Sequence, residues 1–79
     1  MTIYANIFDY TLSRKRPEKK RAARTYSINR RDYSLVKIFN TKKAASEWLK
    51  KNEAFKFYGA DIRPSDCFFT DIHNNDIEL

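Results

Sequence analysis

The chain has 79 residues, sixteen Lys and Arg against ten Asp and Glu for a net charge of +6, one cysteine and one glycine. That length allows one domain at most and rules out a large buried core. A lone Cys67 rules out an intrachain disulfide, and no apolar run approaches the roughly 20 residues that cross a bilayer.

The first stretch, residues 2–12, is rich in Ile, Tyr and Phe and reads as a strand. Ile3, Ala5 and Ile7 fall on one face; Tyr4, Phe8, Tyr10 and Leu12 fall on the other. Residues 13–24 carry seven cations against Glu18, and Pro17 breaks any strand there, so this segment reads as a basic connector. Residues 25–39 read as a hairpin: arms at 25–28 and 34–39, with Asn29, Arg30, Arg31 and Asp32 at the tip. In the second arm Val36 and Ile38 share one face, and Leu35, Lys37 and Phe39 the other.

Thr41 suits an N-cap, because its hydroxyl accepts an orphan backbone N–H. A helix over about 42–53 follows, with Ala44, Ala45, Trp48 and Leu49 as its apolar stripe. Lys42, Lys43, Ser46, Glu47, Lys50 and Lys51 point toward solvent. Gly59, placed after the helix, suits a left-handed backbone. A short extra strand is expected near 58–63 or in the tail. The expected fold class is α+β: a small three-stranded antiparallel sheet packed on one helix. Its domain covers residues 1–64, with an acidic C-terminal tail at 65–79.

The stretch LVKIFNTKKAASEWLKKNEAFKFYGADI, residues 35–62, resembles the ethylene-response-factor type of DNA-binding domain, which has relatives in phage integrases and homing endonucleases. The resemblance rests on a strand ending in Phe39, then Thr41, then the helix through Ala44, Ala45 and Trp48, then Ala54, Phe55 and Lys56 ahead of Gly59. It implies a three-stranded sheet on one helix, with a sheet face in the DNA major groove.

Charge carries the functional expectation. Residues 1–52 hold fourteen cations and four acids, a surplus of +10; residues 53–79 hold two cations and six acids, a deficit of −4. Such asymmetry points to a polyanion. The candidate nucleic-acid-binding residues are Arg14, Lys15, Arg16, Lys19, Lys20, Arg21 and Arg24 in the connector, Arg30 and Arg31 at the hairpin tip, and Lys42 and Lys43 at the helix start. The connector cations suit phosphates. Arginines at a tip suit phosphate or guanine. Lysines at a helix N-terminus meet an unfavourable dipole that a phosphate offsets. Tyr4, Tyr10, Tyr26 and Tyr33 offer rings to bases, or fill the core.

Catalytic chemistry finds little to stand on. Cys67 has no neighbouring base, the single Gly59 makes no phosphate-cradling loop, and His73 with Asp71, Asp76 and Glu78 sits in a tail expected to be too loose to hold the three or four rigid ligands of a metal site. The expectation is a non-enzyme without cofactor or metal, cytoplasmic, with no membrane partner. It binds nucleic acid, DNA ahead of RNA. The alternative is a phage-type small regulator that binds and inhibits a host protein. A homodimer through an open strand edge is a further expectation.

Overall fold

A computed structural model describes residues 1–16 and 32–79. The elements in chain order are strand β1 (Ile3–Phe8), helix α1 (Asp9–Arg14), strand β2 (Tyr33–Phe39), helix α2 (Lys42–Lys51), strands β3 (Phe55–Phe57) and β4 (Ala60–Ile62), a 3-10 turn at Pro64–Asp66, and strands β5 (Phe68–Thr70) and β6 (Asp76–Ile77). The class is α+β. The sheet is larger than the expected three strands on one helix: four antiparallel strands in the order β2-β1-β5-β6, with a separate β3-β4 ribbon. The added strands come from the tail, where β5 pairs with β1 and β6 closes against β5.

β1 is an inner strand, covered on one face and paired with β2 on one edge and β5 on the other. Ile3, Ala5 and Ile7 are fully buried on the face that α1, α2 and the ribbon cover. Each buried isoleucine contributes on the order of 1.5–3 kcal/mol, so this alternation fixes the register of β1. Tyr4, Asn6 and Phe8 take the opposite face. There Asn6 Nδ2 donates to Thr70 Oγ1 at 3.0 Å and ties β1 to β5.

The strand ends earlier than the sequence suggests. Residues 9–14 turn into α1, which swings Leu12 back over Ile7, Ala60 and Ile62. A strand running to residue 12 would leave that part of the sheet uncovered, and burial of Leu12 outweighs the local strand propensity.

β2 pairs with β1, from Ile3–Phe39 to Phe8–Tyr33, with a register shift opposite Ala5 and Asn6 that leaves Val36 as the extra residue. This bulge changes the facing expected from simple alternation. Leu35 and Ile38 lie together on the outer face, opposite Asn6 and Tyr4, while Phe39 is buried against Ile3. The hairpin expected over 25–39 has its first arm and most of its tip outside the described residues.

Thr41 is the N-cap of α2, accepting from the Ala44 amide at 3.1 Å. Ala45 is buried against Ile3, Ala5, Phe39 and Phe69, with Trp48 and Leu49 packed beside it. Ala44, expected in that stripe, is exposed instead. The helix stops at Lys51, because Asn52 adopts a left-handed backbone. Gly59 does have positive φ, but in the ribbon turn with Tyr58 rather than at a helix end. Two consecutive positive φ values match the twist of a two-residue hairpin loop.

Candidate nucleic-acid interface

Apart from Lys56 and Arg63, which are engaged by Asp61 and by the Asn52 carbonyl, the described cations fall into two groups. The first sits at the end of α1. The Arg14 guanidinium lies 5.8 Å from the centre of the Tyr10 ring. Lys15 Nζ is 3.5 Å from Asp66, its carbonyl accepts from the Asp61 amide at 3.4 Å, and Arg16 Nε donates to the Tyr58 carbonyl at 3.0 Å. Lys15 and Arg16 therefore fasten α1 to the ribbon and to the 3-10 turn. Fastening uses part of their donor capacity, which narrows the freedom expected of a basic connector.

The second group lies on α2 and the neighbouring strand. Lys42, Lys43, Lys50 and Lys51 are exposed, and none of the four makes an ion pair with a described residue. The helix has no acid in its first turn, and Glu47 is its only acid. Lys42 and Lys43 are about 12 Å along the axis from Lys50 and Lys51, at about 1.5 Å per residue. Lys43 and Lys50 are seven residues apart and share the outward stripe. Asn52, at the α2 end, takes hydrogen bonds from Arg63 and Ser65, next to the turn that pairs with Lys15. Lys50 and Lys51 are thus at the end of α2 near the turn that pairs with Lys15, whereas Lys42 and Lys43 lie at the other end of the helix. Lys19, Lys20, Arg21, Arg24, Arg30 and Arg31 lie outside the described residues.

Three acids of the tail gather at the edge of the sheet opposite β2. Asp71 belongs to the β5–β6 connection, Asp76 to β6 and Glu78 to the residues just after it, across the sheet from β2. Asp71 is tied up locally: Oδ1 accepts from the His73 and Asn75 amides at 2.8 and 2.9 Å. The Asn75 amide, aided by that of His73, holds its carboxyl below the ordinary value of 3.8. Asp61 and Asp66 are paired with Lys56 and Lys15. The acids of the tail are therefore at one sheet edge or held by local partners, and on α2 Glu47 is the one acid beside four exposed lysines.

A groove opens where this basic surface meets β2. It encloses about 410 Å³ and is lined by Val36 and Lys37 of β2, Trp48 and Lys51 of α2, Glu53 and Ala54 of the connection, and Phe55 and Phe57 of β3. Trp48 and Phe55 have ring centres 5.9 Å apart at an angle of 50°. A second groove of about 540 Å³ runs along β5 beside β6; its charged lining residue is Asp76, so it lacks the character of an anion site.

The outer face of the large sheet is a third feature. Phe8 stacks on Phe68 at 4.4 Å, Tyr33 meets Phe68 edge-on at 5.3 Å, and Tyr33 donates to Asn74 Oδ1 at 2.8 Å. Leu35 and Ile38 continue this face and are half exposed. Of the tyrosines expected to offer rings, Tyr33 and the half-buried Tyr4 lie on this face, Tyr10 carries Arg14, and Tyr26 is outside the described residues.

Lys37, Lys50, Lys51, Phe55 and Phe57 were not among the binding residues that sequence patterning singles out. The available signal was two lysines following Trp48 and Leu49, and two aromatics alternating soon after them. Among the described residues no three His, Cys, Asp or Glu side chains converge as a metal site, and no helix is long and apolar enough to cross a membrane. Burial, with Asp66 beside it, pushes the Cys67 thiol up to about 12, so it is protonated and unsuited to nucleophilic work at neutral pH. Comparison with family models, curated proteins and solved structures gives no match.

Proposed function

We propose that this chain is a small non-catalytic nucleic-acid-binding module that holds the phosphate backbone with the α2 lysines. The observation that carries the reading is the difference in how the charges are engaged. Lys42, Lys43, Lys50 and Lys51 stand exposed without described ion-pair partners, while Asp71, Asp61 and Asp66 are engaged by partners of their own. An unpaired cation gains most from a phosphate, since contact releases condensed counterions. The cations of residues 17–31 add charge to the same chain. The test is a fluorescence-polarisation titration of labelled oligonucleotides, single-stranded and duplex, at 50 and 200 mM salt. Four phosphate contacts weaken affinity roughly 50- to 150-fold across that range. Binding weaker than about 10⁻⁴ M at the lower salt contradicts the reading, because even non-specific binders reach 10⁻⁴–10⁻⁶ M.

A second reading, a regulator that docks on a host protein, draws support from the outer sheet face. Tyr33, Leu35 and Ile38 are 41%, 48% and 51% exposed there, which is apolar area of the kind that partners cover. In a pull-down from nuclease-treated lysate this reading expects a stoichiometric protein that Leu35→Lys and Ile38→Lys release. Loss of every bound protein on nuclease treatment contradicts it.

A further inference from the structure

The groove beside β2 has the chemistry of a nucleobase site. Its apolar lining is Trp48, Phe55, Phe57 and Val36, with the Trp48 and Phe55 rings tilted 50° to one another, and its charged lining residues are Lys37, Lys51 and Glu53. Lys37 has its Nζ 5.5 Å from the centre of the Phe39 ring, which holds the ammonium on the helix-covered side of the sheet. Lys51 is exposed and makes no described ion pair. The lining is thus net positive, with one carboxylate to accept from a base amine. A volume of about 410 Å³ lies at the smaller end of the range for ligand pockets, which suits one nucleotide rather than a folded partner.

We propose that this groove receives one unstacked base of a single-stranded nucleic acid. The base lies against Trp48 and Phe55, and Lys37 and Lys51 meet the flanking phosphates. The inference rests on the nucleic-acid reading and deepens it. A duplex offers no free base face unless a nucleotide is flipped out, and flipping costs unstacking and unpairing. A single strand offers the face at once, and stacking on aromatics is sequence-tolerant. The groove therefore makes the module prefer single strands over duplex of the same sequence.

Trp48 is the only tryptophan, so its emission reports occupancy of the groove directly. The experiment titrates the full chain with an unlabelled mixed-sequence 12-nucleotide single strand and with its duplex, following Trp48 emission. Polarisation of the labelled forms is measured in parallel at one salt concentration. Single strand is expected to quench Trp48 and to bind at least about fivefold tighter than duplex, the lower end of the value of one stacked base. Ala54→Leu narrows the groove from an exposed position without changing charge. It is expected to remove the quench and the single-strand preference while leaving salt-dependent binding in place. Lys51→Gln, also at an exposed site, is expected to weaken single-strand binding more than duplex binding. Near-ultraviolet circular dichroism of each variant verifies the fold. Binding without a Trp48 response, tighter binding of duplex, or an undiminished preference in Ala54→Leu overturns the groove assignment and leaves the broader reading standing. Absence of binding to either form overturns both.

Discussion

Arg63 donates from Nη1 to the backbone carbonyl of Asn52 at 2.7 Å, and the Ser65 amide donates to Asn52 Oδ1 at 3.0 Å. Asn52 thereby closes α2 and clamps its end to the 3-10 turn. Its φ of 47° and ψ of 42° are left-handed, a conformation that Asn and Gly tolerate and Ala resists. Asn52→Ala is expected to cost about 2 kcal/mol, from backbone strain and the lost Oδ1 bond. Asn52→Gly, which loses only the bond, is expected to cost about 1 kcal/mol. Urea midpoints of the two variants check the order; equal losses contradict it.

Asn6 and Thr70 form the polar link inside an otherwise apolar pairing of β1 and β5. Both are buried, and without Thr70 Oγ1 the Asn6 amide keeps only the Tyr4 carbonyl at 3.3 Å. Thr70→Val keeps the shape and is expected to destabilise by about 1–3 kcal/mol, the cost of a buried donor left short of an acceptor. Thermal unfolding of the variant gives the value, and a neutral result contradicts the link.

Cys67 is held as a thiol. With its pKa raised from 9.0 to about 12, it carries about a thousandfold less thiolate at pH 8 than the unfolded chain. Reaction with a disulfide reagent is expected to be slow in the folded protein and fast in urea; comparable rates contradict the burial. The sign of the linkage follows. The folded state keeps the proton that the unfolded state releases above 9.0, so this contribution to stability is whole below that value. It is lost as pH rises toward about 12.

The Asp71 carboxyl has the opposite sense. Its pKa lies below 3.8, chiefly through the Asn75 amide, so its contribution is present above 3.8 and lost as pH falls through the folded value. A carbon-detected NMR titration is expected to place its midpoint below 3.8, with protection of the β6 amides falling together with it. A midpoint at or above the ordinary value contradicts the turn geometry.

Much of the covered side of this fold is legible in residues 1–8 and 41–51. The alternation Ile3, Ala5, Ile7 and the set Thr41, Ala45, Trp48, Leu49 are local patterns whose periods match their elements. The rest depends on contacts distant in sequence. α1 exists because Leu12 finds Ile62, and the bulge at Val36 follows from pairing with β1 rather than from its own neighbours. The tail reads as weakly patterned because β5 and β6 are short strands of three and two residues, too brief to show a period. The candidate site shows the same division. Lys42 and Lys43 are visible as charges next to a cap. The groove draws its lining from β2, α2 and β3, and no window of sequence brings Val36, Trp48 and Phe57 together.

The central claim is that the α2 lysines hold phosphates. The direct measurement is the slope of log affinity against log salt for a single-stranded oligonucleotide, compared between the native chain and one with Lys42, Lys43, Lys50 and Lys51 all changed to Gln. Each phosphate contact contributes about 0.7 to that slope, so the account predicts a slope shallower by nearly 3 together with weaker binding. An unchanged slope would mean that other groups meet the nucleic acid and would contradict the assignment of the helix.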